Sequence, residues 1–365
     1  MAIVSCNNEN PFLSDWNTPY GLPPFDKIDN KDYIQAVKTG IRRQEAEIDA
    51  ILEKNDMPTF ENTIAAYEHS GALLDKVTGV LFNLAESDGT EELQKVVEDV
   101  ISRLTEHSDN IFMNPYFFER VKFLYDSRNS LNLTAEQNAV LEKLYTRFVA
   151  NGVGLNKEGQ EKMRELNKKI AVLEQKFSNK LLAETNSFRL VLTDSSELAG
   201  LPEAVLAAAA EDAKAAGITA GQACKMTGAM EIDENGPWLF TLHNPSYVPF
   251  MSYSARRDLR EKMFRAYSTR GSHGGENDTR QVVLDLISLK IQKAKLLGYD
   301  IPADQILSDK MAGNAKTVDA FLEKLFKPAI KKAAEETAEL QSIMDKDIKE
   351  GVLADGPDSR IKPWD

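Results

Sequence analysis

Apolar residues return at every third or fourth position through most of this chain, the period of a helix with one covered face. The clearest run is Asn156 to Glu184. There Met163, Leu166, Ile170, Leu173, Phe177 and Leu181 share one stripe, and Lys, Glu and Gln fill the rest. So narrow a stripe has the geometry of a coiled-coil seam. Lys31 to Lys54 carries Tyr33, Val37, Ile41, Ile48 and Ile51 in the same way. Met57-Pro58-Thr59 ends it, because the residue before a proline avoids helical angles. One helix is predicted next through Ile64, Tyr67, Leu74, Val77 and Leu81, ending in the turn residues Ser87-Asp88-Gly89. Glu91 to His107 and Tyr116 to Tyr125 read as two more. Thr134-Ala135-Glu136-Gln137 is a capping box that opens a helix through Val149.

The pattern changes twice. Phe188 to Thr193 and Trp238 to Leu242 are short, rich in β-branched and aromatic residues, and bounded by turn formers. They read as two strands able to pair with each other. Between them lies an alanine-rich helix starting at Pro202, since proline suits a first helical turn. Beyond Pro249 the helical period returns. Asp278 to Leu297 is apolar on two sides, which predicts a helix packed between layers. Thr317 to Glu350 is a further long helix, broken at Gly351, and Asp355-Gly356-Pro357 reads as a turn. The predicted fold is mainly α, multi-helical, with long antiparallel helices and one small β-hairpin-like element.

Composition narrows the function more than the fold. The 365 residues carry a net charge of −13, with 42% hydrophobic and 28% charged residues. That suits a globular protein and argues against a general nucleic-acid binder, which needs clustered Lys and Arg. Cys6 and Cys224 are too few for a disulfide framework or a four-thiolate zinc site. Ile3-Val4-Ser5-Cys6 matches the pattern before the acylated cysteine of bacterial lipoproteins, with Asn7-Asn8-Glu9-Asn10 as a polar tether. This makes Cys6 a lipidation candidate, although no basic region or long apolar stretch precedes it. An envelope lipoprotein and a cytoplasmic protein with a free cysteine both remain open.

Six arginines, Arg256, Arg257, Arg260, Arg265, Arg270 and Arg280, crowd one stretch of an acidic chain. One reading is a basic wall for a peptide's C-terminal carboxylate, which guanidinium groups bind in bidentate fashion. The other is pairing with nearby acids such as Asp258 and Glu261. His69 and His107 lie on predicted helices as surface or partly buried residues. His243, at a strand end, reads as a hydrogen-bonded structural residue, and His273 sits in a mobile turn, Gly271-Ser272-His273-Gly274-Gly275. That turn lacks the Gly-Lys-Ser/Thr ending of a phosphate cradle. Cys224 has a lysine neighbour, Lys225, a setting that can activate a thiol, but no histidine accompanies it as a base, so the nucleophile reading is poor. No two histidines have the spacing that puts both on one helical face, so no catalytic or metal-binding residue is assigned.

The stretch from Pro237 to Arg280 resembles the entry into the catalytic lobe of the thimet oligopeptidase family of zinc metallopeptidases. It runs Pro-Trp-Leu-Phe-Thr-Leu-His-Asn-Pro-Ser-Tyr-Val-Pro-Phe-Met, then an arginine-dense helix, then Arg-Gly-Ser-His-Gly-Gly-Glu-Asn-Asp-Thr-Arg. Asn10-Pro11-Phe12, Pro23-Pro24-Phe25-Asp26-Lys27-Ile28, Pro58-Thr59-Phe60-Glu61-Asn62-Thr63-Ile64, Leu181-Leu182-Ala183-Glu184-Thr185-Asn186 and Lys362-Pro363-Trp364-Asp365 fit the same family in the same order. The branch they resemble is bacterial peptidyl-dipeptidase and oligopeptidase A. The resemblance implies one lobe of a two-lobed, nearly all-helical peptidase with a deep channel for short unstructured peptides. It also implies zinc in the full-length parent, held by two histidines and a glutamate. A second glutamate would then activate the metal-bound water.

The His-Glu-x-x-His helix that carries that chemistry has no counterpart here. The expectation is therefore the front portion of such an enzyme, inactive alone, whose partner is the missing C-terminal catalytic half. A terminal tryptophan in need of packing points the same way. The alternative is a non-catalytic peptide- or partner-binding protein on the same scaffold. The implied organisation is an N-terminal extension over 1–24, a helical domain over 25–186, a strand-containing connector over 187–250 and the start of a catalytic lobe over 251–365.

Overall fold

A computed structural model describes residues 10–352 and 359–365. Cys6 and the predicted Asp355-Gly356-Pro357 turn lie outside the described residues. The fold is mainly α, with one two-stranded antiparallel sheet among the described residues. The chain divides into two compact units. One comprises Met1–Lys176 and Leu284–Ala315; the other comprises Phe177–Val283 and Lys316–Asp365.

In the first unit, α1 (Asn30–Leu52) opens on an Asp29/Asp32 capping box that satisfies two otherwise orphaned amides. The single helix predicted through Ile64 to Leu81 is instead two pieces. A π-helical segment, Phe60–Ala65, runs into α2 (Ala66–Glu68), and α3 (Ala72–Ser87) starts afresh. The break is Gly71, whose φ of 79° suits glycine and is rarely adopted by L side chains. Its amide donates to the Glu47 carboxylate of α1 (2.8 Å), so α1 side chains hold the turn. Next come α4 (Glu91–Phe112), α5 (Pro115–Ser127), α6 (Ala135–Ala150) and α7 (Lys157–Ser187). The Thr134/Gln137 box caps α6 as predicted.

Two cores result. Val37, Val77, Leu81 and Val100 centre one, between α1, α3 and α4. Ile64, Phe112, Phe117, Leu141 and Phe148 centre the other. Phe148 packs edge-on at 5.2 Å against both Phe112 and Phe117. Such pairs add about 0.5–1.5 kcal/mol each beyond burial alone.

In the second unit, β1 (Leu190–Leu192) pairs antiparallel with β2 (Trp238–Phe240), with Val191 opposite Leu239. Between them run α8 (Glu203–Ala215) and α9 (Ala220–Thr227). Both strands are buried throughout, which explains why they lack in/out alternation. After β2 come α10 (Asn244–Tyr253) and α11 (Arg257–Ser268); the chain then runs through α12 (Arg280–Leu296) and α13 (Pro302–Leu307), most of the former and all of the latter in the first unit, and on into α14 (Ala315–Lys349). Leu190, Phe240, Phe250 and Met263 anchor the core of this unit.

One long helix departs from expectation, and another forms as predicted but leaves an apolar face open. On α12 Val282 and Ala294 are buried, but Val283, Leu284 and Ile287 are exposed. It is therefore not packed between layers. On α14 every residue from 321 to 340 is exposed, including Phe321, Leu322, Leu325, Phe326 and Ile330. Periodicity sets which face is apolar but does not supply a partner for it.

Candidate functional site

The arginine cluster is built by the start of α11. Arg257 and Arg260, three residues apart, share a helical face. That face receives the segment 359–365. Arg257 donates from Nε and Nη2 to the two Asp365 carboxylate oxygens at 2.7 and 2.8 Å, a bidentate fork. It also donates to the Arg360 carbonyl at 2.9 Å. Arg260 donates to the Trp364 carbonyl (2.7 Å), the Ser254 carbonyl (2.6 Å) and Asp365 (3.2 Å). Trp364 is buried, with Phe264 at 5.9 Å and the Arg265 guanidinium 5.0 Å from its ring centre. It thus finds its packing within the described residues. Burial pushes the Asp365 carboxyl up, yet Arg257, the Lys362 amide and Arg260 together hold it below its ordinary value.

The other four arginines are committed too. Arg256 pairs with Asp258 at 2.7 Å and Arg265 with Glu261 at 2.7 Å, the acids the sequence offered. Arg280 donates to Asp278, whose carboxyl it draws far below the usual range. Arg270 stacks on Tyr267 at 3.8 Å and donates to the Thr185 hydroxyl at 3.0 Å. Pairing rather than a free basic wall is what the cluster builds.

The first unit holds buried polar groups that the sequence did not single out. Asp109 on α4 is buried and accepts from the Asn167 amide of α7 at 2.7 Å. The Asn167 carbonyl oxygen in turn accepts from Lys293 Nζ on α12 at 2.7 Å. Desolvation raises the Asp109 carboxyl and lowers the Lys293 ammonium, each opposed by its polar neighbours. A shared amide therefore joins two half-paid charges across three helices. No motif announces them, because 58 and 126 residues separate the partners.

His107 is buried, not a surface or partly buried residue, at 5% exposure. Its Nε2 lies 2.8 Å from Gln44 Oε1 of α1. Its Nδ1 has no hydrogen-bond partner and sits 3.8 Å from Glu45 Oε1. His69 is exposed at the end of α2. His273 is tied down, with Nδ1 3.1 Å from Glu184 and Nε2 2.6 Å from Thr269. One partner of this turn's histidine lies on α7 and the other just after α11. His243 is exposed and has no side-chain partner among the described residues, so the expected hydrogen bond does not form. It lines a cavity of about 600 Å³ beside Ala208, Asp212, Phe240 and Ser246. The small alanines of α8 leave that space. Cys224 is a free, half-buried thiol.

Among the described residues, no group of three or more His, Cys, Asp or Glu side chains is placed to hold a metal ion. No described helix is long and apolar enough to cross a membrane.

Residues 250–365 match Peptidase family M3. Nearly all of the chain resembles curated relatives. It is 34% identical to dipeptidyl carboxypeptidase of Escherichia coli, with 98% of this chain and 49% of that protein aligned. It is 29% identical to oligopeptidase A of the same organism, with the same coverage of each. Saccharolysin of Saccharomyces cerevisiae matches 62% of the chain at 28% identity. The chain spans about half the length of the first two.

Proposed function

We propose that this chain, whose residues 250–365 belong to peptidase family M3, is the front portion of a zinc-dependent metallopeptidase that hydrolyses short peptides. The reaction is of the peptidyl-dipeptidase or oligopeptidase type, as the names of the relatives suggest. The observation that carries this reading is likeness over 98% of the chain to proteins of about twice its length. Zinc, when bound in such an enzyme, polarises the scissile carbonyl and activates a water. The described side chains do not fit that metal, since none converge as a ligand set. No catalytic step is assigned to them.

The role of these residues is structural and steric. The α11 clasp anchors Trp364 and Asp365, at the end of the segment that matches the family. The helical units would form part of a channel wall that excludes folded substrates. The apolar face of α14, exposed from Phe321 to Ile330, supports the presence of further polypeptide in the working enzyme. Reading the gene's frame beyond Asp365 tests the proposal. A His-Glu-x-x-His codon series supports it. A stop codon would instead favour a non-catalytic peptide- or partner-binding protein on the same scaffold. The 365-residue chain itself should show no stoichiometric zinc by elemental analysis and no cleavage of a fluorogenic peptide.

A further inference from the structure

His107 is the one histidine of the first unit that is enclosed, and its hydrogen-bond chain has a fixed direction. The Tyr67 carbonyl can only accept, so the Ser70 hydroxyl donates to it at 2.7 Å. Ser70 Oγ then accepts from the Gln44 amide nitrogen at 3.1 Å. That leaves Gln44 Oε1 facing His107 at 2.8 Å, where it must accept from an Nε2–H. A neutral His107 is therefore the Nε2–H tautomer, with a lone pair on Nδ1. This lone pair is buried, has no donor, and faces a second acceptor, Glu45 Oε1, at 3.8 Å. One proton on Nδ1 would turn two opposed acceptors into a charge-assisted hydrogen bond.

We propose that His107 and Glu45 form a proton-operated clasp between α1 and α4, open when the imidazole is neutral and drawn closed when Nδ1 takes a proton. The Nε2–H to Gln44 bond persists in both states, so the tie to the Ser70–Gly71 turn is kept. The clasp sits between two clefts. On the Glu45 side, Lys38, Arg42, Arg103 and Glu106 also face it. The second cleft is lined by Glu68, Asp75 and Arg147 among its charged groups. Arg103 is already bound to Asp99, and Arg42 reaches back to its own helix. Glu45 is thus the carboxylate placed to answer the proton. Burial opposes that proton and lowers the imidazole from its ordinary 6.5, while Glu45 raises it. The clasp accordingly answers acid rather than neutral conditions.

The test follows the His107 Cε1–H resonance and ring ¹⁵N shifts of the intact chain across pH. The neutral ring should show the Nε2–H tautomer. Glu45→Gln should weaken proton binding on the order of tenfold, the effect of losing a carboxylate within 4–6 Å. Glu106→Gln, in the same cleft, should change it far less. An Nδ1–H tautomer, an unmoved midpoint in Glu45→Gln, or an equal shift in Glu106→Gln would each overturn the clasp. Protection factors of the α1 and α4 amides, corrected for the intrinsic fall of exchange rate with pH, should rise on acidification in the wild type and not in Glu45→Gln; equal behaviour would also overturn it.

Discussion

The two units each close on a carboxylate, and they treat it in opposite ways. In the first, Asp109 is enclosed, accepts from the Asn167 amide, and feels the Arg164 and Lys293 charges only at a distance. In the second, Asp365 meets Arg257 directly in a bidentate fork, with Arg260 beside it. Distance and water decide the difference. Asp109 has no direct cation, so desolvation dominates and its carboxyl is raised. Asp365 is desolvated too, but two guanidinium groups outweigh that and its carboxyl is lowered. An enclosed relay is fragile when one member is lost, whereas a rim fork is weaker but more forgiving.

The largest expected effect comes from breaking the relay. Asp109→Leu strands the Asn167 amide and takes from Lys293, an ammonium already lowered by burial, the stronger of its two acidic neighbours, leaving only Glu174. The expected cost is about 3 kcal/mol, the scale for orphaning one member of a buried charged network. Urea unfolding followed by a probe in the first unit would measure it. A loss below about 1 kcal/mol would mean that water enters and replaces the carboxylate.

Breaking the fork should cost less. Asp365→Asn keeps the shape and removes the charge, and about 1 kcal/mol is expected at low salt, shrinking as salt is added. The pH dependence sharpens the contrast. Asp365 is lowered in the fold, so its contribution is present above the unfolded value of 3.8 and is lost as pH falls through the folded one. Asp109 is raised, so its contribution is present below 3.8 and is lost as pH rises through its folded value. From these two groups alone, acidification weakens the second unit and relieves the first. Stability against pH for Asp365→Asn and Asp109→Asn, each compared with wild type, should therefore diverge in opposite senses. Parallel curves would remove the distinction.

This contrast also marks how far the sequence could be read. Short-range chemistry was legible. The Thr134/Gln137 box, the strands at Leu190 and Trp238, and the Arg256–Asp258 and Arg265–Glu261 pairs depend on spacings of a few residues. The family resemblance was legible because its segments keep their order. The break at Gly71 was hidden, since a lone glycine within an apolar period is often tolerated in a helix and the Glu47 carboxylate that holds the turn lies 24 residues upstream. The enclosure of His107, the fate of Asp109 and the open face of α14 were hidden for the same reason. Each is decided by what another helix brings, and periodicity carries no record of that.

The smallest effect completes the series. Arg256 also grips an acid in a fork, Nε to Asp258 Oδ1 at 2.9 Å and Nη2 to Oδ2 at 2.7 Å. The geometry nearly matches that of Arg257 with Asp365. What differs is the surroundings: the Asp258 side chain is 63% exposed, against 11% for Asp365. Water competes for the Asp258 oxygens and screens the pair, so Arg256→Ala should change stability by no more than about 0.5 kcal/mol. Arg257→Ala, which leaves a partly enclosed carboxylate short of donors, should exceed it several-fold. Equal losses in the two variants would show that fork geometry, and not exclusion of water, sets the strength of these pairs.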